Sequence, residues 1–237
     1  MSQARKVVVA THNEGKLHEL RRILDGFLAD EGQRIELVSA GRLGLPDPVE
    51  TGTTFQENAL LKAGQAARQS GLPALADDSG LVVDVMGAAP GILSARWSGR
   101  HGDDQANTDL LLNQLHDIPD GHRGGRFVCA AALVVPDVPG YAVRGRQVTR
   151  IGEMSGSIIR KARGENGFGY DPIFVPKDQP QGTGKQRLLT SAEMTSDQKN
   201  AISHRGKALA AIMPILISWV LGGRPYQSLI GPADQGP

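Results

Sequence analysis

The spacing of hydrophobic positions changes from strand-like to helix-like and back over the first 40 residues. Residues 6–11, KVVVAT, form a short β-branched apolar run, which is typical of a strand buried on both faces. Apolar residues then recur at helical spacing through 15–27, GKLHELRRILDGF, and residues 34–40, RIELVSA, again favour a strand. A strand, a helix and a second strand in this order indicate an α/β fold.

The clearest helix signal lies in residues 53–71, TTFQENALLKAGQAARQSG. Thr54 and Glu57 have the spacing of a capping box, in which each side chain binds the backbone N–H of the other residue. Gly71 follows the last apolar position, where a glycine commonly ends a helix. We therefore predict a helix that begins just after Thr54 and ends just before Gly71.

The sequence patterns after residue 71 predict the remaining strands and helices of the fold. Residues 72–87, LPALADDSGLVVDVMG, are predicted to form two short strands that meet at a polar corner. Residues 125–136 indicate a long buried strand, and the alternation within 141–160 indicates antiparallel strands. Helices are predicted over 103–118 and from about Asp197 onward. The whole pattern favours one mixed sheet flanked by helices.

Composition and charge narrow the function classes. The 237 residues suffice for one large domain, and the net charge of +1 offers no general attraction for nucleic acid or for a membrane surface. A single cysteine, Cys129, excludes an intrachain disulfide and a cysteine zinc cluster. The most apolar run, residues 208–221, is interrupted by Pro214 and is too short to cross a bilayer. The N-terminus has no apolar signal segment, so we expect a cytoplasmic protein with no membrane or nucleic-acid partner.

The segment ADDSG places two carboxylates, Asp77 and Asp78, at the end of an apolar run. Neighbouring residues of a strand point to opposite faces, so at most one of the two would face a given cleft. A purely structural interpretation is an Asx turn, in which backbone amides satisfy the acid. The functional interpretation is a Mg²⁺ site, since a bound cation offsets the cost of placing acids together. Mg²⁺ is commonly held by one or two carboxylates beside substrate phosphates.

The segment THNEGK, residues 11–16, forms a polar turn between the first strand and the first helix. Thr11 and Asn13 could direct donors at an anion, and Lys16 lies near a helix N-terminus, whose dipole favours negative charge. The P-loop spacing G-x-x-x-x-G-K-[ST] is absent. An ordinary strand-to-helix turn with a surface lysine is the alternative interpretation.

Two later segments contain aromatic and basic residues. GENGFGYDP, residues 164–172, places Phe168 and Tyr170 among glycines, which favours either a stacking surface or a hydrophobic plug at a turn. KNAISHRGKAL, residues 199–209, is either a solvated helix face or part of a binding site. Its basic residues at the start of a helix are Lys199, His204 and Arg205.

Taken in order, these segments resemble a known enzyme family. The string ATHNEGK…ETGTTFQENALLKA…ADDSGLVVDVMGAAPGILSARWSG…GFGYDPIF…ISHRGKAL is similar to the inosine/xanthosine triphosphate pyrophosphatases, which remove non-standard purine nucleotides. The resemblance extends from about residue 6 to residue 212. It implies Mg²⁺-dependent hydrolysis of ITP, dITP and XTP between the α- and β-phosphates, which yields the nucleoside monophosphate and pyrophosphate. It also implies a homodimer and an elongated α/β fold, with a mixed sheet flanked by helices and a substrate cleft between two lobes.

The same resemblance implies roles for individual residues. Asp78 corresponds to the general base and, together with Glu50, to the metal ligands. Lys62 and the turn at residues 11–16 correspond to the triphosphate site, and Phe168 corresponds to the residue that stacks on the purine. The implied substrate-binding residues are Thr11, His12, Asn13, Glu14, Gly15, Lys16, Lys62, Ser79, Phe168, Gly169, Tyr170, Asp171, Lys199, His204 and Arg205.

Some positions depart from the family pattern. His12 stands where relatives often have a small residue, and Asn166 stands where glycine is common, but neither change removes a proposed catalytic group. We predict one two-lobed domain over residues 1–237, with its core at about 6–222. The segments predicted to be mobile are 177–187 and about 223–237.

Two other functions stay open on the sequence alone. A pyrophosphatase for other modified nucleotides would share the phosphate turn and the acids, but it gives no reason for GFGYDP together with SHRGKAL. A regulatory module that binds a purine nucleotide without hydrolysis would not need Glu50 and Asp78, because acids near a triphosphate repel it unless they hold a metal. The ranking of ITP, dITP and XTP, the exclusion of GTP and the dimer interface do not follow from the sequence.

Overall fold

A computed structural model describes residues 4–12, 14–28, 35–183 and 187–222, without the side chains at positions 14, 16 and 19. Within these residues the strands are β1 (Arg5–Val9), β2 (Ile35–Ser39), β3 (Ala74–Val83), β4 (Gly124–Val135), β5 (Arg146–Ile158) and β6 (Phe174–Pro176). The α-helices are α1 (Glu14–Phe27), α2 (Phe55–Ser70), α3 (Asp104–Gln114), α4 (Ser196–Ile202) and α5 (His204–Leu221). Asn13, residues 184–186 of the segment predicted to be mobile, and the tail 223–237 lie outside the described residues.

The described strands form a six-stranded sheet in the order β2-β1-β3-β4-β5-β6. β1 lies parallel to both β2 and β3, whereas β3, β4, β5 and β6 are joined by antiparallel pairs. β4 pairs along its whole length with β5 and along ten residues with β3, so it forms the centre of the sheet. This arrangement confirms the predicted α/β class, with a mixed sheet flanked by helices.

β3 is a single strand rather than two strands that meet at a polar corner, so the prediction for residues 72–87 is wrong. All ten of its residues are in register with residues 125–134 of β4. Side chains alternate along a strand, so Asp77 and Asp78 point to opposite faces, and a cation from a helix neutralises each of them. Because both charges are compensated in place, the backbone does not have to turn and expose them to solvent.

The C-terminal part of the chain contains two helices rather than the one predicted from about Asp197. Ser203 separates α4 from α5, since it has extended backbone angles and its hydroxyl accepts a hydrogen bond from Gly206 N at 2.9 Å. This cap fixes the point at which α5 begins. Residues 141–160 likewise contain one strand, β5, whose antiparallel partners β4 and β6 lie elsewhere in the chain.

The predicted boundaries of α2 are confirmed. Thr54 Oγ1 accepts a hydrogen bond from Glu57 N at 3.1 Å, and Glu57 Oε2 accepts one from Thr54 N at 3.2 Å. Gly71 ends the helix with a φ of 68°, which glycine adopts without strain. Small side chains bring α2 close to the sheet, namely Ala59, Ala63, Ala66 and Ala67. α2 therefore lies against the face of β3 that carries Asp78.

The other face of the sheet is covered by α1 and α5 at one end and by α3 at the other. Leu20 of α1 and Ile212 of α5 belong to one hydrophobic cluster, which also includes Leu133 of β4. Leu111 of α3 belongs to a second cluster, together with Phe127 of β4. Among the described helices, none combines the length and the apolar character that crossing a bilayer requires.

Candidate active site

The two adjacent acids of β3 face different helices. Asp78 points towards α2, where its Oδ1 lies 2.7 Å from Lys62 Nζ. Asp77 points towards α5, where its Oδ1 lies 3.2 Å from Arg205 Nη2. Ser79 is exposed and lies on the same side of the strand as Asp77. The expectation that the two acids occupy opposite faces is therefore confirmed.

Lys62 joins two carboxylates from separate parts of the chain. Its Nζ lies 2.7 Å from Asp78 Oδ1 and 2.6 Å from Glu50 Oε1. Lys62 lies on α2, Glu50 in the loop before that helix, and Asp78 on β3. The exposed fractions of the three side chains are 17%, 24% and 10%, so the cluster is largely removed from solvent.

The outer oxygens of the two carboxylates also have partners. Arg96 Nη1 lies 3.3 Å from Glu50 Oε2, and Asn58 Nδ2 donates to Asp78 Oδ2 at 3.3 Å. Asn58 Oδ1 accepts a hydrogen bond from Gly52 N at 2.8 Å, so one fully buried amide ties the loop that carries Glu50 to Asp78. Gly52 leaves no room for a side chain, because a Cβ there would lie 2.6 Å from Asn58 Oδ1.

The charges in this cluster shift one another's pKa values in different directions. Burial raises the pKa of Asp78, and the ion pair with Lys62 only partly offsets that effect. Burial also acts to raise the pKa of Glu50, but its contacts with Lys62 and Arg96 outweigh burial and lower it. Burial acts to lower the pKa of Lys62, but the two carboxylates outweigh burial and raise it. Lys62 is therefore a permanent cation between two acids.

Glu50 and Asp78 are suited to hold Mg²⁺. One oxygen of each already converges on a single cationic nitrogen, and carboxylate oxygens are preferred ligands of this metal. Among the described residues, no group of three or more His, Cys, Asp and Glu side chains could bind a metal. Two carboxylates are enough when water and substrate phosphates supply the other ligands, which is common for Mg²⁺ in enzymes that act on nucleotides.

The opposite face of β3 meets the first turn of α5. The ring of His204 stacks on Phe127, with 5.0 Å between the ring centroids and 15° between the planes. Burial, and secondarily the charge of Lys199, lower the pKa of His204 to about 3, so the imidazole is neutral at pH 7. Its Nδ1 is buried and has no hydrogen-bond partner among the described residues. A neutral ring of this kind can either donate to a ligand or accept from it.

Replacing His204 with Gln should make the stability of the protein less sensitive to acid. Unfolding restores an ordinary pKa to the imidazole, so below about pH 6.5 the unfolded chain binds a proton that the folded chain does not. The free energy of unfolding therefore falls as the pH drops from about 6.5 towards 3, by about 2 kcal/mol at pH 5.

Urea unfolding at pH 7 and pH 5 measures this effect. Between these two pH values the His204→Gln variant should lose about 2 kcal/mol less stability than the wild type. His116→Gln is the control, because the side chain of His116 is 82% exposed. Equal losses in the wild type and His204→Gln would contradict the prediction.

Residues 167–171 form a tight loop that is organised by the buried Asp171. Its carboxylate accepts a hydrogen bond from Phe168 N at 2.9 Å and pairs with Lys199 Nζ at 2.5 Å. The ring of Phe168 is 73% exposed, and Lys199 Nζ lies 5.0 Å from its centroid. An exposed aromatic ring beside an ammonium group offers a stacking surface for a planar, polar ligand.

Tyr170, the other aromatic residue of this loop, points into the core. Its hydroxyl donates to Ser94 O at 2.9 Å, and burial raises its pKa. Gly169 N donates to Asp104 Oδ2 at 2.7 Å. Tyr170 and Gly169 therefore hold the loop in place, and Phe168 presents its aromatic ring at the surface.

The predicted phosphate turn lies between β1 and α1. Both ring nitrogens of His12 face acceptors, since Nδ1 lies 2.7 Å from Asp47 Oδ1 and Nε2 lies 2.9 Å from Leu45 O. His12 thereby joins this turn to the loop that leads to Glu50. Thr11 and Gly15 lie at the start of the turn and in the first turn of α1. Asn13 and the side chains of Glu14 and Lys16 are outside the described part of the chain.

A sequence model of the Ham1 family matches residues 7–215, a range that includes the whole site. The chain belongs to the Ham1 family. The dITP/XTP pyrophosphatase of Bifidobacterium animalis subsp. lactis is 61% identical over 229 residues, which cover 89% of this chain and 96% of that relative.

Solved structures of similar chains show the same fold. One is a structure described as "Nucleoside-triphosphatase / dITP/XTP pyrophosphatase" from Mycobacterium abscessus, with 50% identity and a TM-score of 0.69, covering 89% of this chain and 99% of that one. Another is a Ham1 protein from Coxiella burnetii, with 36% identity and a TM-score of 0.74, covering 90% of this chain and 99% of that one.

Three residues of this Ham1 site were not found by sequence reasoning. Arg96 meets Glu50 only because the fold brings together residues that are distant in the chain. Asn58 carries a usable signal, since a polar residue on the buried side of an amphipathic helix needs a partner. Gly152 of β5 lies against α5, where a Cβ would lie 2.5 Å from Ala208 N. A glycine within a strand pattern often marks such a close approach of two backbones.

Proposed function

We propose that this protein hydrolyses dITP, ITP and XTP to the nucleoside monophosphate and pyrophosphate, with Mg²⁺ as its cofactor. The observation that carries the proposal is the convergence of Glu50 and Asp78 on the ammonium of Lys62. Two carboxylates that lie this close together are the protein ligands that a phosphate-bound Mg²⁺ commonly uses, so this arrangement favours hydrolysis over simple binding. The name dITP/XTP pyrophosphatase, borne by relatives at 61% and 50% identity, supports the choice of substrate.

At the phosphate end of the site, Asp78 accepts the proton of the attacking water. Burial raises the pKa of this carboxyl, which makes the carboxylate a stronger base. Glu50 and Asp78 would hold Mg²⁺, which when bound neutralises phosphate charge and makes the attacking water more acidic. Lys62 and the N-terminus of α1 bind the phosphates. Positioning and charge neutralisation suffice for this reaction, so no covalent nucleophile is needed.

At the base end, the exposed ring of Phe168 stacks on the purine, and Lys199, His204 and Arg205 read its edge. Hypoxanthine and xanthine carry a 6-oxo acceptor where adenine carries a 6-amino donor. Arg205 can only donate hydrogen bonds, so adenine would place two donors against each other. The pairing of Arg205 with Asp77 at 3.2 Å fixes the guanidinium beside β3.

Product analysis tests the proposed reaction. The purified protein is incubated with ITP, XTP, ATP and GTP, with and without Mg²⁺, and the products are separated by ion-exchange chromatography. We expect metal-dependent formation of IMP and pyrophosphate from ITP, with ATP and GTP largely spared. Release of IDP and phosphate would show cleavage of a different bond, and tight binding without hydrolysis would show a regulatory module.

Replacing Arg205 with Ala should reduce the preference for ITP over ATP, measured as the ratio of their kcat/KM values. An unmatched donor costs about 1–3 kcal/mol, so the ratio of kcat/KM for ITP over ATP should fall by about 5- to 150-fold. Steady-state kinetics with both nucleotides measure the ratio. Lys207→Ala is the matched control on the same helix, because this side chain is 45% exposed and contacts β5. An unchanged ratio in Arg205→Ala would remove Arg205 from base recognition.

We also infer the working form of the protein from the family resemblance. The chain acts as a homodimer in the cytoplasm, and each protomer is one two-lobed domain. Size-exclusion chromatography with light scattering tests the oligomeric state. A monomer at micromolar concentration that is fully active would contradict it.

A further inference from the structure

Lys62 lies between the two carboxylates that we assign to Mg²⁺. Its Nζ lies 2.6 Å from Glu50 Oε1 and 2.7 Å from Asp78 Oδ1, and it also contacts the carbonyl oxygen of Asp77 at 3.4 Å. The ammonium thus faces three oxygens that converge from two parts of the chain. An ammonium and a metal ion cannot occupy this position together, because both are cations that need the same two oxygens.

The carboxylates cannot readily turn and offer other oxygens instead. Arg96 lies 3.3 Å from the outer oxygen of Glu50, and Asn58 donates to the outer oxygen of Asp78 at 3.3 Å. Asn58 is fully buried and is itself fixed by Gly52 N. The two oxygens that face Lys62 are therefore the ones available to a metal.

The charge balance of the cluster also disfavours a metal in the free protein. Glu50 and Asp78 contribute two negative charges, and Lys62 and Arg96 contribute two positive ones. A neutral cluster attracts a free divalent cation weakly. A nucleotide changes this balance, because its phosphates offer the flexible Lys62 side chain another anionic partner.

We propose that Lys62 closes the metal site of the free protein and that the phosphates of the nucleotide open it by drawing the ammonium away. The inference rests on the proposed function, since it takes Glu50 and Asp78 as the metal ligands. It predicts that metal and nucleotide bind with positive coupling, each raising the affinity of the other by the same factor. Lys62 is then both the counterion of Glu50 and Asp78 and a phosphate-binding group.

Metal binding to the free protein tests the proposal without any turnover. Mn²⁺ is the probe, and its affinity is measured by electron paramagnetic resonance for the wild type, Lys62→Met and the control Lys207→Met. Methionine keeps the length of the side chain but has no charge, so Lys62→Met should bind Mn²⁺ about tenfold more tightly than the wild type or more. Lys207→Met should match the wild type. Equal or weaker binding by folded Lys62→Met would overturn the proposal.

The α,β-imido analogue of ITP tests the second half of the proposal. In the wild type this analogue should tighten Mn²⁺ binding strongly, whereas in Lys62→Met the site is already open and the tightening should be at least several-fold smaller. An equal tightening in both proteins would show that Lys62 does not gate the site.

Two further variants distinguish a failure of the proposal from misfolding of Lys62→Met and from metal binding at another site. If Lys62→Met does not fold without metal, Lys62→Gln takes its place, since an amide can bind a carboxylate without carrying charge. Glu50→Gln should abolish the tight Mn²⁺ site of Lys62→Met, and its persistence would place the metal elsewhere and overturn the inference. Because product analysis uses the wild type and these experiments use binding alone, the failure of one does not imply the failure of the other.

Discussion

Asp78→Asn should lower the turnover of ITP by about a hundred- to ten-thousand-fold, which is the usual contribution of a general base. The amide has nearly the same shape as the carboxylate, but it cannot accept the proton of the attacking water. Lys62 keeps its ion pair with Glu50 at 2.6 Å, and Asn58 can still donate to the side-chain oxygen at position 78, so the fold should be retained. Turnover is measured with saturating ITP and Mg²⁺, and nucleotide binding is measured by calorimetry.

Asp84→Asn provides the control for this substitution. Asp84 follows directly after β3, is 59% exposed and pairs with Arg126 at 2.9 Å on the surface. This variant should retain the turnover of the wild type. If Asp78→Asn remained as active as Asp84→Asn, the base would have to be a different group. If Asp78→Asn lost binding as well as turnover, Asp78 would be needed mainly to assemble the site.

Gly152→Ala should lower the free energy of unfolding by about 3 kcal/mol, because it inserts a methyl group where two backbones touch. A Cβ at this position would lie 2.5 Å from Ala208 N, 2.9 Å from Lys207 Cβ and closer still to His204 O. Most of the neighbouring atoms belong to the backbone, so the first turn of α5 would have to move away from β5. That turn carries His204 and Arg205, and a shift of about 1 Å can reduce kcat/KM about a hundredfold.

Gly26→Ala is the matched control for the glycine substitution. Gly26 lies in α1 and is exposed, and a Cβ added there would have no other atom within 4 Å. Alanine should stabilise this helix by up to about 1 kcal/mol and leave activity unchanged. Thermal melting and kcat/KM for ITP are measured for both variants. If Gly152→Ala had the same melting temperature as the wild type, α5 would have moved away from β5 without loss of stability.

The elements that the sequence predicted correctly are those whose signals are local. The capping box of α2 lies within four residues, and the buried run of β1 needs no partner to be recognised. The opposite orientation of Asp77 and Asp78 was also predictable, because side chains alternate between neighbouring residues of a strand. The position of Lys62, two turns into α2, follows from the same helix pattern.

The features that were missed depend on distant parts of the chain. β3 is continuous because β4 pairs with all of it and because cations on two helices neutralise Asp77 and Asp78. Whether the aromatic side chains of residues 168–170 face solvent or the core depends on Ser94, which lies far away in sequence. The break at Ser203 is a cap inside an otherwise continuous helical pattern, so the pattern alone did not reveal it.

The adjacency of Asp77 and Asp78 makes the length of β3 a fixed property of the protein. Inserting or deleting one residue of β3 before Asp77 would turn each acid to the opposite face of the sheet. Asp77, the partner of Arg205, would then face α2, and Asp78, the partner of Lys62, would face α5. The ion pairs at the phosphate end and at the base end of the site would both be lost. The part of β3 that precedes Asp77 can therefore accept other residues but not a change of length.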